Sequence, residues 1–143
     1  MQTVGTEWLI DATGCDAAVL CDLERVRAVF DRVVSELNLH VVGVAQWHQF
    51  PPPGGITGLA LLSESHLACH TYPELGVATI NLYCCRARPA WEWDARLREM
   101  LGATEVIIRV VERAHLASTA IDINQAVELN EAARSVSRRG GKL

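Results

Sequence analysis

The sequence predicts an α+β two-layer sandwich, an antiparallel β-sheet with helices packed on one face. Three observations point there. Apolar or alternating runs of strand length outnumber the helix-length amphipathic runs. Several of those short runs are joined by turns too brief for the helical crossover that parallel strands require. The longest helical pattern keeps its apolar side chains on one face, so it covers a sheet and is not itself surrounded. A length of 143 residues, half of them hydrophobic and 21% charged, suits a single domain spanning the whole chain.

Residues 3–12 read as a first strand, which Gly14 ends. Asp16 then caps one helix running to Leu37, because Val19, Leu20, Leu23, Val26, Val29, Phe30, Val33, Val34 and Leu37 recur at spacings of three and four. Residues 40–49, with their valines, Ala45 and Trp47, suggest a second strand. Phe50-Pro51-Pro52-Pro53-Gly54-Gly55 cannot continue it as a central strand, since proline lacks the ladder donor. Residues 56–62 form an apolar run of strand length, which Ser63-Glu64-Ser65-His66 interrupts before residues 67–71 resume it. Tyr72-Pro73-Glu74-Leu75-Gly76 is a turn, and residues 77–85 alternate as a half-buried strand does. Pro89 starts a second helix over residues 90–101, with Trp91, Leu97 and Leu101 at helical spacing and Gly102 as its stop. Residues 105–111 are the last strand, residues 124–133 allow a short helix, and residues 135–143 read as a disordered basic tail.

Thirteen basic against seventeen acidic residues give a net charge of −4. That leaves no cationic excess to neutralise a phosphate backbone, so nucleic acid is not the expected partner. No apolar run approaches the roughly 20 residues of a bilayer-spanning helix. The start Met1-Gln2-Thr3 is unlike a signal peptide, and a cytoplasmic protein is expected. Five cysteines, an odd number, suggest reduced thiols rather than a disulfide framework.

Between Ser63 and Cys85 the chain collects Ser63, Glu64, Ser65, His66, Cys69, His70, Glu74, Cys84 and Cys85 inside segments built to be buried. An unpaired buried polar group costs on the order of 1–3 kcal/mol, so the cluster needs a reason. Residue types alone leave three readings open. The first is a mutually hydrogen-bonded network. The second is a metal site on His66, Cys69 and His70, although in an extended segment Cys69 points away from the two histidines, and no metal is expected. The third is a hydrolase with Ser65 or Cys85 as nucleophile and His70 as base, although the nucleophile-elbow pattern is missing.

The run Gly58-Leu59-Ala60-Leu61-Leu62-Ser63-Glu64-Ser65-His66-Leu67-Ala68-Cys69-His70-Thr71-Tyr72-Pro73-Glu74 resembles the signature of the prokaryotic S-adenosylmethionine decarboxylase proenzymes, a Glu-Ser-His followed by His-Thr-Trp-Pro-Glu. Cys85 falls where that family has a cysteine twenty residues after the serine, and the likeness extends over about residues 7–111. The resemblance implies self-processing. The bond between Glu64 and Ser65 breaks, leaving a β chain of residues 1–64 and an α chain of residues 65–143, and Ser65 becomes a covalent pyruvoyl group. Serine suits this because its Oγ can exchange the preceding amide for an ester, which β-elimination then opens to dehydroalanine and hydrolysis converts to a ketone. That ketone would condense with the substrate amine as an electron sink in place of pyridoxal phosphate.

The same resemblance implies roles for individual residues. His70 assists the ester step or removes the α-proton in the elimination, and Thr57, where the family commonly has serine, steadies the intermediate. Thr57 lies eight residues before Ser65, roughly 26 Å along a straight strand, so their cooperation requires the chain to double back. Cys85 returns a proton to the substrate carbon, while Cys84 serves packing. Phe50 stacks on adenine, and Glu74 binds polar groups of the substrate. Tyr72 in place of tryptophan, Asn81 in place of a carboxylate, and Cys84-Cys85 in place of Thr-Cys are departures. The activity implied is decarboxylation of S-adenosylmethionine to the aminopropyl donor of spermidine synthesis, by a homodimer of αβ units. The alternatives are an arginine or ornithine decarboxylase on the same scaffold, or an unprocessed regulatory homologue.

Overall fold

The structure, a computed structural model, describes residues 3–115. The helix expected at residues 124–133 and the tail at residues 135–143 lie outside the described residues. In chain order the elements are β1 (Gly5–Thr13), α1 (Ala17–Leu20), α2 (Leu23–Glu36), β2 (Gln46–Gln49), β3 (Ile56–Leu62), β4 (Ser65–Tyr72), a 3-10 turn (Pro73–Leu75), β5 (Val77–Cys84), α3 (Trp93–Leu101) and β6 (Glu105–Arg113). The strands form one antiparallel sheet in the order β2-β3-β4-β5-β1-β6, the α+β class the sequence predicts.

Alternation along the strands sorts the sheet into two faces. Trp8, Ile10, Ala12, Leu67, Cys69, Ala78, Ile80 and Leu82 are buried with Val26, Val29, Phe30 and Val33 of α2 and Leu97 and Leu101 of α3. Each large side chain so buried contributes roughly 1.5–3 kcal/mol. Thr71 ties the helical layer to this face, donating from Oγ1 to the Leu20 carbonyl at 2.7 Å and accepting from the Ile56 N–H at 2.9 Å. The opposite face carries Leu9, Thr57, Leu59, Leu61, His66, Ala68, His70, Asn81 and Tyr83 in register. Leu59 and Leu61 there are 50% and 59% exposed.

Several boundaries differ from the sequence reading, each for a local reason. The single helix to Leu37 is two helices. The Asp22 carboxylate accepts from the backbone N–H groups of Glu24 and Arg25 and so starts α2 anew, while the apolar periodicity runs on because both pieces face the same core. The strand over residues 40–49 shrinks to β2. Gly43 turns at φ +72°, and of the valines before it Val41 makes a lone bridge to Leu62. The polar stretch at residues 63–66 is a tight turn of Ser63 and Glu64, with Ser65 already the first residue of β4. The second helix begins at Trp93 rather than at Ala90, because Trp91 is held outside it, its indole N–H donating to Glu36 at 2.7 Å. Gly102 stops that helix at φ +68° as expected.

Candidate active site

The β3–β4 hairpin places Ser65 opposite Leu62 on one side and Cys84 on the other. Its φ is +146°, a region that glycine occupies freely and other residues enter at a cost of roughly 1–3 kcal/mol. The carbonyl immediately before it, that of Glu64, accepts a 2.9 Å hydrogen bond from the Cys85 N–H. The oxygen that would gain negative charge when Ser65 Oγ attacks this carbonyl therefore already sits on a fixed donor, the arrangement that stabilises an oxyanion. Cys85 itself is exposed, whereas Cys84 is fully buried and burial pushes its thiol up to about 11. Cys69, equally enclosed, is pushed by burial up to about 12. Those two thiols are neutral packing groups, which leaves Cys85 as the accessible one beside Ser65.

Glu64 is 5% exposed although it sits in a two-residue turn. Its carboxylate accepts from the His40 backbone N–H at 3.1 Å, lies 2.8 Å from His40 Nδ1, and pairs with Arg88 Nη2 at 3.3 Å. Burial raises its pKa, but hydrogen bonds from the His40 ring, the His40 and Glu64 backbone N–H groups and Ser63 outweigh that and hold it at about 2. An ionised carboxylate only accepts, so His40 Nδ1 carries the proton between them. The folded pKa lies below the ordinary 4.5, so the stabilisation is present above pH 4.5 and lost as pH falls through about 2. On an uncut Ser65→Ala background, the urea midpoint should exceed that of the added Glu64→Gln variant at neutral pH, the gap closing toward pH 2. A gap that ignores pH would contradict this assignment.

A second cluster occupies the other end of β4. Thr57 faces His70 across the β3–β4 pair, with Thr57 Oγ1 3.1 Å from His70 Nδ1. Both line a cavity of about 340 Å³ together with Phe50, Tyr72 and Glu74. Phe50 is 51% exposed and meets the His48 ring edge-on at 4.5 Å. Glu74 stands exposed in the 3-10 turn. The hairpin supplies the doubling back that Thr57 needs, but it delivers Thr57 to His70 and not to Ser65. Five residue steps of strand run from Ser65 to His70, about 16 Å. One chain thus unites Ser65, Glu64 and Cys85, unites Thr57, His70, Phe50 and Glu74, and keeps the two groups apart.

Between them, Asn81 Nδ2 lies 3.2 Å from His66 Nε2, and the His66 ring stacks obliquely on Tyr83 at 5.8 Å. Cys69 is buried on the helix side of β4, away from His66 and His70, and among the described residues no three His, Cys, Asp or Glu side chains converge as metal ligands would. His40 and Arg88 escaped the sequence reading. Both lie outside the signature run, and only the Val41–Leu62 bridge and the chain after β5 carry them to Glu64.

The family profile described as S-adenosylmethionine decarboxylase matches residues 6–114. The S-adenosylmethionine decarboxylase proenzyme of Moorella thermoacetica is 34% identical over 117 residues, covering 79% of this chain and 90% of the relative. That of Carboxydothermus hydrogenoformans is 33% identical over 131 residues, 90% of this chain and the whole of the relative. The crystal structure of the adenosylmethionine decarboxylase from Aquifex aeolicus superposes with a TM-score of 0.71 at 30% identity, covering 84% of this chain and 98% of that one.

Proposed function

The chain belongs to the S-adenosylmethionine decarboxylase family, and from that premise we propose that it decarboxylates S-adenosylmethionine after cutting itself between Glu64 and Ser65. The observation that carries this reading is the strained Ser65 backbone at φ +146°, next to a Glu64 carbonyl held by the Cys85 N–H. Ser65 Oγ attacks that carbonyl carbon, the amide nitrogen leaves with the hydroxyl proton, and an ester replaces the peptide bond. Loss of the Ser65 α-proton then expels from Cβ the main-chain α-carboxylate that ends the Glu64 chain, and water converts the resulting dehydroalanine to a pyruvoyl group with release of ammonia. The residues fit a group made in this way, since Glu64 and Cys85 already frame Ser65. A pyruvoyl ketone supplies the electron sink for carbon dioxide loss.

The chain's own residues do the rest. His70, hydrogen-bonded to Thr57, takes the α-proton, and Thr57 fixes which ring nitrogen is free to do so. The exposed Cys85 thiol gives a proton to the substrate carbon. Phe50 offers an aromatic face and Glu74 a carboxylate at the mouth of the cavity that His70 lines.

His70 and Thr57 reach Ser65 only if a second copy brings them. The exposed apolar side chains of the sheet face opposite the helices, Leu59, Leu61, Ile107 and Val111, support such a pairing. A two-fold axis crossing β4 between Ser65 and His70 lays the Ser65 end of one copy over the His70 end of the other. The enzyme is therefore a homodimer of αβ units with two shared sites, working in the reducing cytoplasm that its free cysteines suit. No described helix is long and apolar enough to cross a membrane.

The test is carbon dioxide release from S-adenosylmethionine, arginine and ornithine in parallel. Release from S-adenosylmethionine alone is the expected result. Release from either of the other two would transfer the activity to a different substrate on the same machinery. No release from any, with the chain whole, would leave a regulatory homologue.

A further inference from the structure

We propose that His40 and Arg88 are positioning residues for the self-cleavage: they clamp the buried Glu64 carboxylate, and the clamp holds the Glu64–Ser65 peptide in the bent form that its own serine attacks. The inference rests on the processing reading above and extends it to two residues outside the signature run.

A carboxylate in a tight turn ordinarily reaches into water, where its ion is best solvated. Glu64 instead folds inward, to 5% exposed, and finds three donors there: the His40 N–H at 3.1 Å, His40 Nδ1 at 2.8 Å and Arg88 Nη2 at 3.3 Å. The donors are themselves fixed. The Ser63 N–H donates to the His40 carbonyl at 2.9 Å and the Val42 N–H to the Leu61 carbonyl at 2.8 Å, so residues 40–42 are stitched along the end of β3. Leu39 is buried beside them.

Glu64 is thereby held at two points. Its side chain is tied to His40 and Arg88, and its carbonyl to the Cys85 N–H beyond the end of β5. With both points fixed, the peptide to Ser65 cannot rotate as a free turn peptide does. Ser65 is left to absorb the mismatch at φ +146°. Backbone strain of this kind persists only where the surroundings over-determine it. Releasing the carboxylate removes one of the two fixed points and lets Ser65 relax into ordinary extended backbone, out of line with the carbonyl. Before the cut the clamp is a contact within one chain. After it, Glu64 and His40 belong to the β chain and Arg88 to the α chain.

The experiment follows conversion of freshly synthesised full-length precursor into two fragments, for the wild-type chain and for Arg88→Met, Arg88→Lys, His40→Ala and Glu64→Gln. Arg88→Met and Glu64→Gln should slow the conversion by about tenfold or more. Arg88→Lys, which keeps a donor and a charge, should recover much of the rate. His40→Ala, which keeps the backbone donor, should fall between. The same substitutions are placed on the uncut Ser65→Ala background and melted. Slower cleavage by Arg88→Met out of proportion to its change in midpoint, together with rescue by lysine, supports the clamp. Wild-type cleavage by Arg88→Met overturns it, and so does slowing that tracks loss of stability with no rescue by lysine. A wild-type chain that stays whole would overturn the processing reading and the clamp together, whereas a cut wild type with an equally fast Arg88→Met overturns the clamp alone.

Discussion

Ser65→Ala is expected to give a single uncut chain with no decarboxylase activity, the largest effect of any one substitution in this protein. Alanine has no Oγ to attack the Glu64 carbonyl, so the ester never forms, and no group on Cβ to expel, so elimination has no starting point. The loss is of the chemistry and not of the fold. Ser65 is half-buried at the start of β4, no side-chain hydrogen bond ties it to the described residues, and removing one hydroxyl there should change stability by no more than about 0.5 kcal/mol. The variant should therefore purify as a folded precursor that the Cys85 N–H and the Glu64 clamp hold as before. Denaturing gels together with assays of carbon dioxide release check the point. Two fragments from the alanine variant would show that something other than this hydroxyl cuts the chain.

The second large effect concerns partnership. His70→Ala alone should also leave uncut chains, because the base that takes the Ser65 α-proton is gone. Co-expressed with Ser65→Ala it should do better. In a mixed dimer one site combines the serine of the His70→Ala copy with the histidine of the Ser65→Ala copy and is intact, while the other site lacks both. Only the His70→Ala copy should then be cut, and activity should appear where neither variant has any alone. This outcome follows from the separation of about 16 Å between Ser65 and His70 along one strand. If the two residues met within one chain, no mixture would restore cutting. Mass tags that distinguish the two copies would identify which one is cleaved.

Much of the fold and the family was legible in the sequence because the relevant signals are local. The Glu64-Ser65-His66 run, the proline-rich loop and the alternation of residues 77–85, of which 77–84 form β5, each announce themselves within a few residues. The apolar pattern from Val19 to Leu37 correctly marks a face packed on the sheet, yet it could not reveal the break at Asp22, since a cap and a helix-interior aspartate look alike until the N–H groups of Glu24 and Arg25 are seen to donate to it. The valines at residues 41–44 carry strand propensity, but Gly43 turns the chain and Val44 ends 88% exposed, because β propensity counts only where a neighbouring strand accepts the pairing.

The signature run was legible as a set of residues but not as a geometry. Spacing along β4 keeps Ser65 and His70 apart, and one sequence does not show which side chains meet. His40 and Arg88 were missed for a related reason. Neither stands at a telling distance from Glu64, and their convergence is a product of the lone bridge that joins Val41 to Leu62 and of the chain after Cys84. Long-range partners of one buried charge leave no periodic trace.

The proposed activity depends above all on Ser65 becoming a ketone. Mass spectrometry of the purified wild-type protein, with and without phenylhydrazine, tests this most directly. Two fragments meeting between Glu64 and Ser65 are expected, the second blocked at its start and carrying one phenylhydrazone. An intact chain of 143 residues that takes up no reagent, or a second fragment beginning with an unmodified serine, would contradict it.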